Sequence, residues 1–71
     1  MALVNDRRQM AEYLTRHGPT HGITLRDALG WTAERFWDAV YGPGNRWFML
    51  TIKGWELTEA GKIIAPLGAF A

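Results

Sequence analysis

Arg35 is the side chain best placed to do chemistry in this 71-residue chain. Its planar guanidinium can take a phosphate or the edge of a base through paired N–H donors. The plainer alternative is an exposed helical pair with Asp38, worth about 0.2–0.5 kcal/mol. The other reactive groups do not assemble. No nucleophile stands beside a base, and no two carboxylates pair across a cleft. His17 and His21 are separated by Gly18 and Pro19, which keep them off one helical face, and no third ligand accompanies them. Gly42-Pro43-Gly44 lacks the lysine and the strand-to-helix setting of a phosphate loop, so it reads as a turn. A domain this small has little room for an enclosed pocket. No enzymatic activity, cofactor or metal is expected.

The elements that position Arg35 can be read around it. Ile23–Val40 has the form of two short helices joined by a tight turn. Thr24 and Thr32 are each placed to cap a helix start with a side-chain oxygen. Gly30 stops the first of the two, because glycine tolerates the left-handed conformation that closes a helix. This is the pattern of a helix-turn-helix, a motif that most often presents its second helix to DNA. The segment from Ala33 to Val40 or Tyr41 forms that second helix, with Ala33, Phe36 and Val40 toward the core and Trp37 packed beside the first helix of the chain. Leu25–Leu29 is the supporting helix, and Leu25, Ala28 and Leu29 are available to the core. Upstream, Asp6-Arg7-Arg8-Gln9 resembles a capping box, with Asp6 as cap. Met10, Tyr13 and Leu14 then follow at helical spacing until Gly18-Pro19. Thr20-His21-Gly22 is a loop, with Ile23 as a candidate very short strand before Thr24.

Downstream, Gly42-Pro43-Gly44-Asn45 breaks the chain. Trp47–Ile52 and Trp55–Thr58 are rich in strand formers. A two-residue turn at Lys53-Gly54 would pair Ile52 with Trp55, Thr51 with Glu56 and Leu50 with Leu57. That register places Phe48, Leu50, Ile52, Trp55 and Leu57 on one face. Trp47 and Met49 point to the other, where they either gain cover from the third helix or the tail or form an exposed partner surface. Thr58-Glu59-Ala60-Gly61 opens a last short helix through Ile64, and Pro66 ends it. In the uncharged tail from Ala65 to Ala71, Leu67 and Phe70 either fray or dock on the first helix or another subunit. The fold class is α+β, mainly α, with one domain over 1–71, its core over 5–64 and a tail over 65–71.

Bulk properties narrow the class further. The net charge is +1 and the pI about 8.2, short of the strongly basic signature of many nucleic-acid binders. There is no cysteine, hence no disulfide and no thiolate for zinc. A chain of this length buries only about 60% of its unfolded surface. Four tryptophans, three phenylalanines and two tyrosines compensate with large buried areas. Met1–Val4 runs into Asn5, Asp6, Arg7 and Arg8 without the apolar run of a signal peptide. No segment approaches the roughly 20 apolar residues of a membrane span. A cytoplasmic protein is expected.

Three helices followed by W-F-M-L-T-I-K-G-W-E-L-T-E-A-G resemble the winged helix-turn-helix family. The phrase L-T-I-K-G-W-E-L-T-E-A-G, from Leu50 to Gly61, is especially similar to the wing region of small bacterial and phage regulators. The resemblance spans Asn5 to Ile64. It implies a small DNA-binding transcriptional regulator whose second motif helix enters the major groove and whose hairpin touches phosphates or the minor groove. It thereby implies that Thr32, Arg35, Asp38 and Tyr41 face double-stranded DNA, that Arg46 and Lys53 serve the wing, and that Arg26 reaches a backbone phosphate. Two copies on a symmetric site would double these contacts, so a homodimer fits this reading. The wing turn is short, however, and Glu34 and Asp38 share the recognition helix with one arginine. The near-neutral charge, these carboxylates and the Trp47–Met49 patch favour the alternative, a protein-interaction module on the same scaffold. A small phage factor that binds a host protein is an example.

Overall fold

A computed structural model describes residues 2–68 and Phe70, with side chains from Val4 onward. Met1, Ala69 and Ala71, the remaining members of the terminal segments discussed above, lie outside the described residues. The order is α1 (Ala2–His17), α2 (Gly22–Leu29), α3 (Ala33–Tyr41), β1 (Phe48–Thr51), β2 (Gly54–Leu57), α4 (Glu59–Ile64) and a 3-10 turn over Ala65–Leu67. This is the expected α+β layout: three helices, a two-stranded antiparallel hairpin and a short C-terminal helix. No helix among the described residues is long and apolar enough to cross a membrane.

α1 buries Met10, Ala11 and Leu14 on one stripe, and Gly18 closes it in a left-handed conformation. It starts before Asp6, so Asp6 is not a cap. Asp6 and Arg7 extend the buried stripe one turn toward the N-terminus. α2 begins at Gly22 with His21 as its N-cap, whose side chain makes no capping bond, and it takes in both Ile23 and Thr24. Thr24 therefore caps nothing. The isolated strand contact falls at Thr20 rather than Ile23. Thr20 N–H donates to the Trp55 carbonyl at 3.0 Å, and Trp55 N–H donates to the Thr20 carbonyl at 2.8 Å. In α2 only Leu25 is fully buried, and Ala28 faces solvent.

Gly30 adopts the left-handed conformation expected of a helix end, and Thr32 accepts from the Arg35 N–H to cap α3. Phe36, Ala39 and Val40 form the inward face of α3. Ala39 takes the place expected of Ala33, which is exposed. A 36/39/40 triad lies on one side of a 3.6-residue helix, whereas 33 sits toward its edge. Trp37 is 51% exposed and stacks on Tyr41 rather than packing beside α1.

The hairpin turn falls on Ile52-Lys53, not Lys53-Gly54. Thr51 pairs with Gly54, Leu50 with Trp55, Met49 with Glu56 and Phe48 with Leu57. The favoured two-residue hairpin turns put positive φ at their first central position, which at Lys53-Gly54 would fall on lysine. Here Gly54 takes the positive φ, at 110°, and no described non-glycine residue has one. The Thr51 hydroxyl tightens the turn by accepting from the Lys53 N–H at 3.1 Å. Because Leu50 moves from Leu57 to Trp55, two positions along, side chains keep their expected faces. Burial within that face is uneven. Phe48, Trp55 and Leu57 are buried, Leu50 is not, and Ile52 protrudes from the turn almost fully exposed.

Trp47 is buried, so of its two expected places it takes the covered one and not the exposed patch. The tail covers it. Phe70, itself buried, sets its ring edge-on to Trp47 at 5.7 Å and parallel to Phe48 at 6.3 Å. Arg8 Nη2 donates to the Gly68 carbonyl at 3.2 Å and ties the tail to α1. Thr58 caps α4 as expected by accepting from the Gly61 N–H. Gly61 lies so close to Trp47 that a Cβ there would collide with the Trp47 carbonyl oxygen.

Candidate interaction surface

The inward triad of α3 leaves Glu34, Trp37, Asp38 and Tyr41 on its outer side, all exposed. Trp37 and Tyr41 are one turn apart, and their rings stack at 4.8 Å with 20° between planes. Beneath them the Tyr41 ring meets Trp55 edge-on at 5.6 Å, and Phe36 meets Trp55 edge-on at 5.8 Å. An aromatic column thus runs from the surface into the core. Across from it β1 presents Met49 and Leu50, 42% and 61% exposed. An open recess of about 390 Å³ lies between them, bordered by Tyr41, Met49 and Leu50 and backed by Val40, Phe48 and Trp55.

The position of this face is set by two adjacent residues of α1. The Asp6 carboxylate accepts two hydrogen bonds from Arg35, from Nε at 3.0 Å and from Nη2 at 2.7 Å. The same guanidinium lies over the Trp31 ring, 4.9 Å from its centroid. Hydrogen bonding to Asp6 raises the Arg35 pKa above its ordinary value. Arg7 holds the other end of α3. Its Nε donates to the Ala39 carbonyl at 3.0 Å, and its Nη2 donates to the Gly42 and Pro43 carbonyls at 3.3 and 3.2 Å. Burial lowers the Arg7 pKa, yet arginine stays protonated in proteins. A cation there satisfies carbonyls that a helix end leaves without partners and complements the negative end of its dipole.

The residues singled out in the sequence meet different fates. Arg35 pairs with Asp6, not with Asp38. Asp38 and Tyr41 join Trp37 on the outer face. Thr32 is exposed, but its hydroxyl oxygen is engaged in the cap of α3. Arg26 is half-buried on α2. Arg46 lies over Trp47, 5.3 Å from the ring centroid, and Lys53 is exposed at the hairpin turn. Met49 belongs to the recess with Leu50 and Tyr41, without Trp47. Glu34 and Asp38 make no ion pair among the described residues.

Asp6 and Arg7 were missed because charged residues near an N-terminus read as a cap or a solvated face. A signal was present: stepping back from Leu14, Ala11 and Met10 at helical spacing lands on Arg7. The Trp37–Tyr41 spacing likewise marked one face.

A second concavity of about 1010 Å³ opens between the end of α1, β2 and α4. Its rim carries Glu12, Arg16, Glu56 and Lys62. Glu56 accepts from the Thr51 hydroxyl at 2.7 Å, and Lys62 pairs with Glu59 at 3.4 Å. Among the described residues no cluster of three or more His, Cys, Asp or Glu side chains could hold a metal ion. Comparison with known protein families, curated proteins and solved structures finds no match for the chain.

Proposed function

We propose that this chain is a binding protein that recognises another protein through the outer face of α3 and the adjoining strand β1. The observation that carries this reading is the exposed Trp37–Tyr41 stack, whose Tyr41 shares a recess with Leu50, with Glu34 and Asp38 beside it and the one cation of α3 turned to Asp6. Exposed aromatic and aliphatic side chains around a recess are the usual anchors of protein interfaces. Two carboxylates on the same helix, Glu34 in its first turn and Asp38 near its middle, repel phosphates. A titration of the intact chain with a random duplex pool at low salt tests the reading. The expected result is no complex whose affinity falls steeply with added salt; such a complex would overturn it.

Duplex DNA is the second reading, favoured by the surroundings of the hairpin turn. Gly54 packs on the backbone of Thr20 and His21, which brings Lys53 beside the start of α2. The first N–H groups of α2 receive no bond from the His21 side chain, and such groups suit an anion. In this reading a regulator would hold phosphates with Arg26, Arg46 and Lys53 and read bases with Thr32, Asp38 and Tyr41. Asp38 would accept from a cytosine amino group. Arg35 would join only by leaving Asp6, and a homodimer would double the contacts.

A further inference from the structure

We infer that the partner of the α3 face is a cationic amphipathic segment of another protein, with an arginine or lysine one or two residues from a large apolar side chain. This rests on the protein-binding reading and adds the chemistry of the occupant.

Charge is the first argument. Glu34 and Asp38 are four apart on α3, both exposed, and neither has an ion-pair partner among the described residues. A cation seated between them would gain two carboxylates at once. The rings are the second. Trp37 and Tyr41 expose about half of their surface or more, and a cation over a tryptophan or tyrosine face is attracted by the ring quadrupole. Both attractions select the same sign of charge and repel an acidic segment or a nucleic-acid backbone. The recess is the third. Tyr41, Met49 and Leu50 give it apolar side chains beside the more polar Gly42 and Asn45, it is open to solvent, and it holds about 390 Å³. That suits one large aliphatic or aromatic side chain beside the cation.

The face is also preformed. Asp6 holds the first turn of α3 and Arg7 holds the last, so binding need not order the helix. A rigid surface keeps more of its contact energy as affinity.

The test is selection from a random-peptide display library on the intact chain, followed by titration of the enriched peptides. The expected peptides combine Arg or Lys with Leu, Phe or Trp. Trp37→Ala should weaken their binding at least tenfold, as should the double change Glu34→Gln with Asp38→Gln. Glu34→Lys with Asp38→Lys should shift the selection toward acidic peptides. All these positions are exposed, and unchanged thermal unfolding of each variant verifies the fold. Neutral or acidic peptides that still depend on Trp37 would overturn the cationic assignment and leave the protein-binding reading standing. Peptides indifferent to Trp37, or no enrichment at all, would overturn both. Self-association abolished by Trp37→Ala would instead identify the occupant as a second copy and overturn the inference. Duplex capture abolished by Trp37→Ala would overturn it together with the reading beneath it.

Discussion

Asp6 of α1 and Arg35 of α3 form a two-point contact at 2.7 and 3.0 Å across 29 residues of sequence. The Asp6 side chain is 11% exposed and the Arg35 side chain 46% exposed. This asymmetry determines how the pair responds to mutation. Loss of Arg35 leaves a nearly buried carboxylate without its cation, whereas loss of Asp6 leaves a guanidinium that water can reach. Arg35→Ala should therefore lower the thermal midpoint more than Asp6→Ala. The double variant should recover part of the Arg35→Ala loss, and differential scanning calorimetry of the three proteins tests this cycle.

The same pair should be insensitive to alkali. A cation whose pKa is raised in the folded state contributes stability that is fully present below its unfolded value and is lost as pH rises through the folded one. Hydrogen bonds to Asp6 raise Arg35 above its ordinary value. The coupling in the double-variant cycle should thus stay constant from about pH 6 to pH 10, a range well below any arginine titration. A coupling that decays within that range would contradict the assignment.

Arg7 anchors the C-terminal end of α3 through three carbonyls. Arg7→Met removes the donors and leaves buried acceptors unpaired, at about 1–3 kcal/mol for each that water cannot reach. A loss of about 3 kcal/mol is expected in urea unfolding. Arg7→Lys keeps the charge but cannot span Ala39 and Pro43 with a fork of donors, so it should recover only part of that loss.

The tail contributes through Phe70. Ending the chain after Gly68 should uncover the rings of Trp47 and Phe48 and destabilise the fold by about 3 kcal/mol, the low end for a buried phenylalanine. Urea unfolding of the shortened protein checks this, and an unchanged midpoint would show that Phe70 packing adds no stability.

The two glycines that admit close approach should not tolerate alanine. Gly61→Ala places a methyl group against the Trp47 carbonyl, and Gly54→Ala adds both a backbone contact at Thr20 and strain at positive φ. Each should cost about 1–3 kcal/mol, read as a lower thermal midpoint.

Part of the local chemistry was legible from sequence, but the caps expected at Asp6 and Thr24 failed because α1 and α2 begin before them, and long-range pairing was not legible. Thr32, Gly18 and Gly30 act within one turn of their own positions, and so does the capping bond of Thr58, so these roles follow from residue type; the Thr58 hydroxyl's donation to the Arg46 carbonyl does not. The faces of the hairpin were legible because side chains alternate, while its register depended on whether Lys53 or Gly54 takes the positive φ. Arg35 looked like an exposed cation because its partner lies in α1, beyond the reach of any helical spacing rule. The burial of Trp47 depends on Phe70, 23 positions along, and the exposure of Trp37 follows once Ala39 rather than Ala33 completes the inner face.

Amide and indole NMR spectra of the intact chain, recorded at low salt with a basic–apolar peptide and then with a random duplex pool, test the central claim most directly. The account predicts that the peptide shifts Trp37, Tyr41 and Leu50 together and that the duplex shifts none of them. Shifts at Thr32, Arg46 and Lys53 on adding duplex, with Trp37 and Tyr41 unmoved by the peptide, would contradict it.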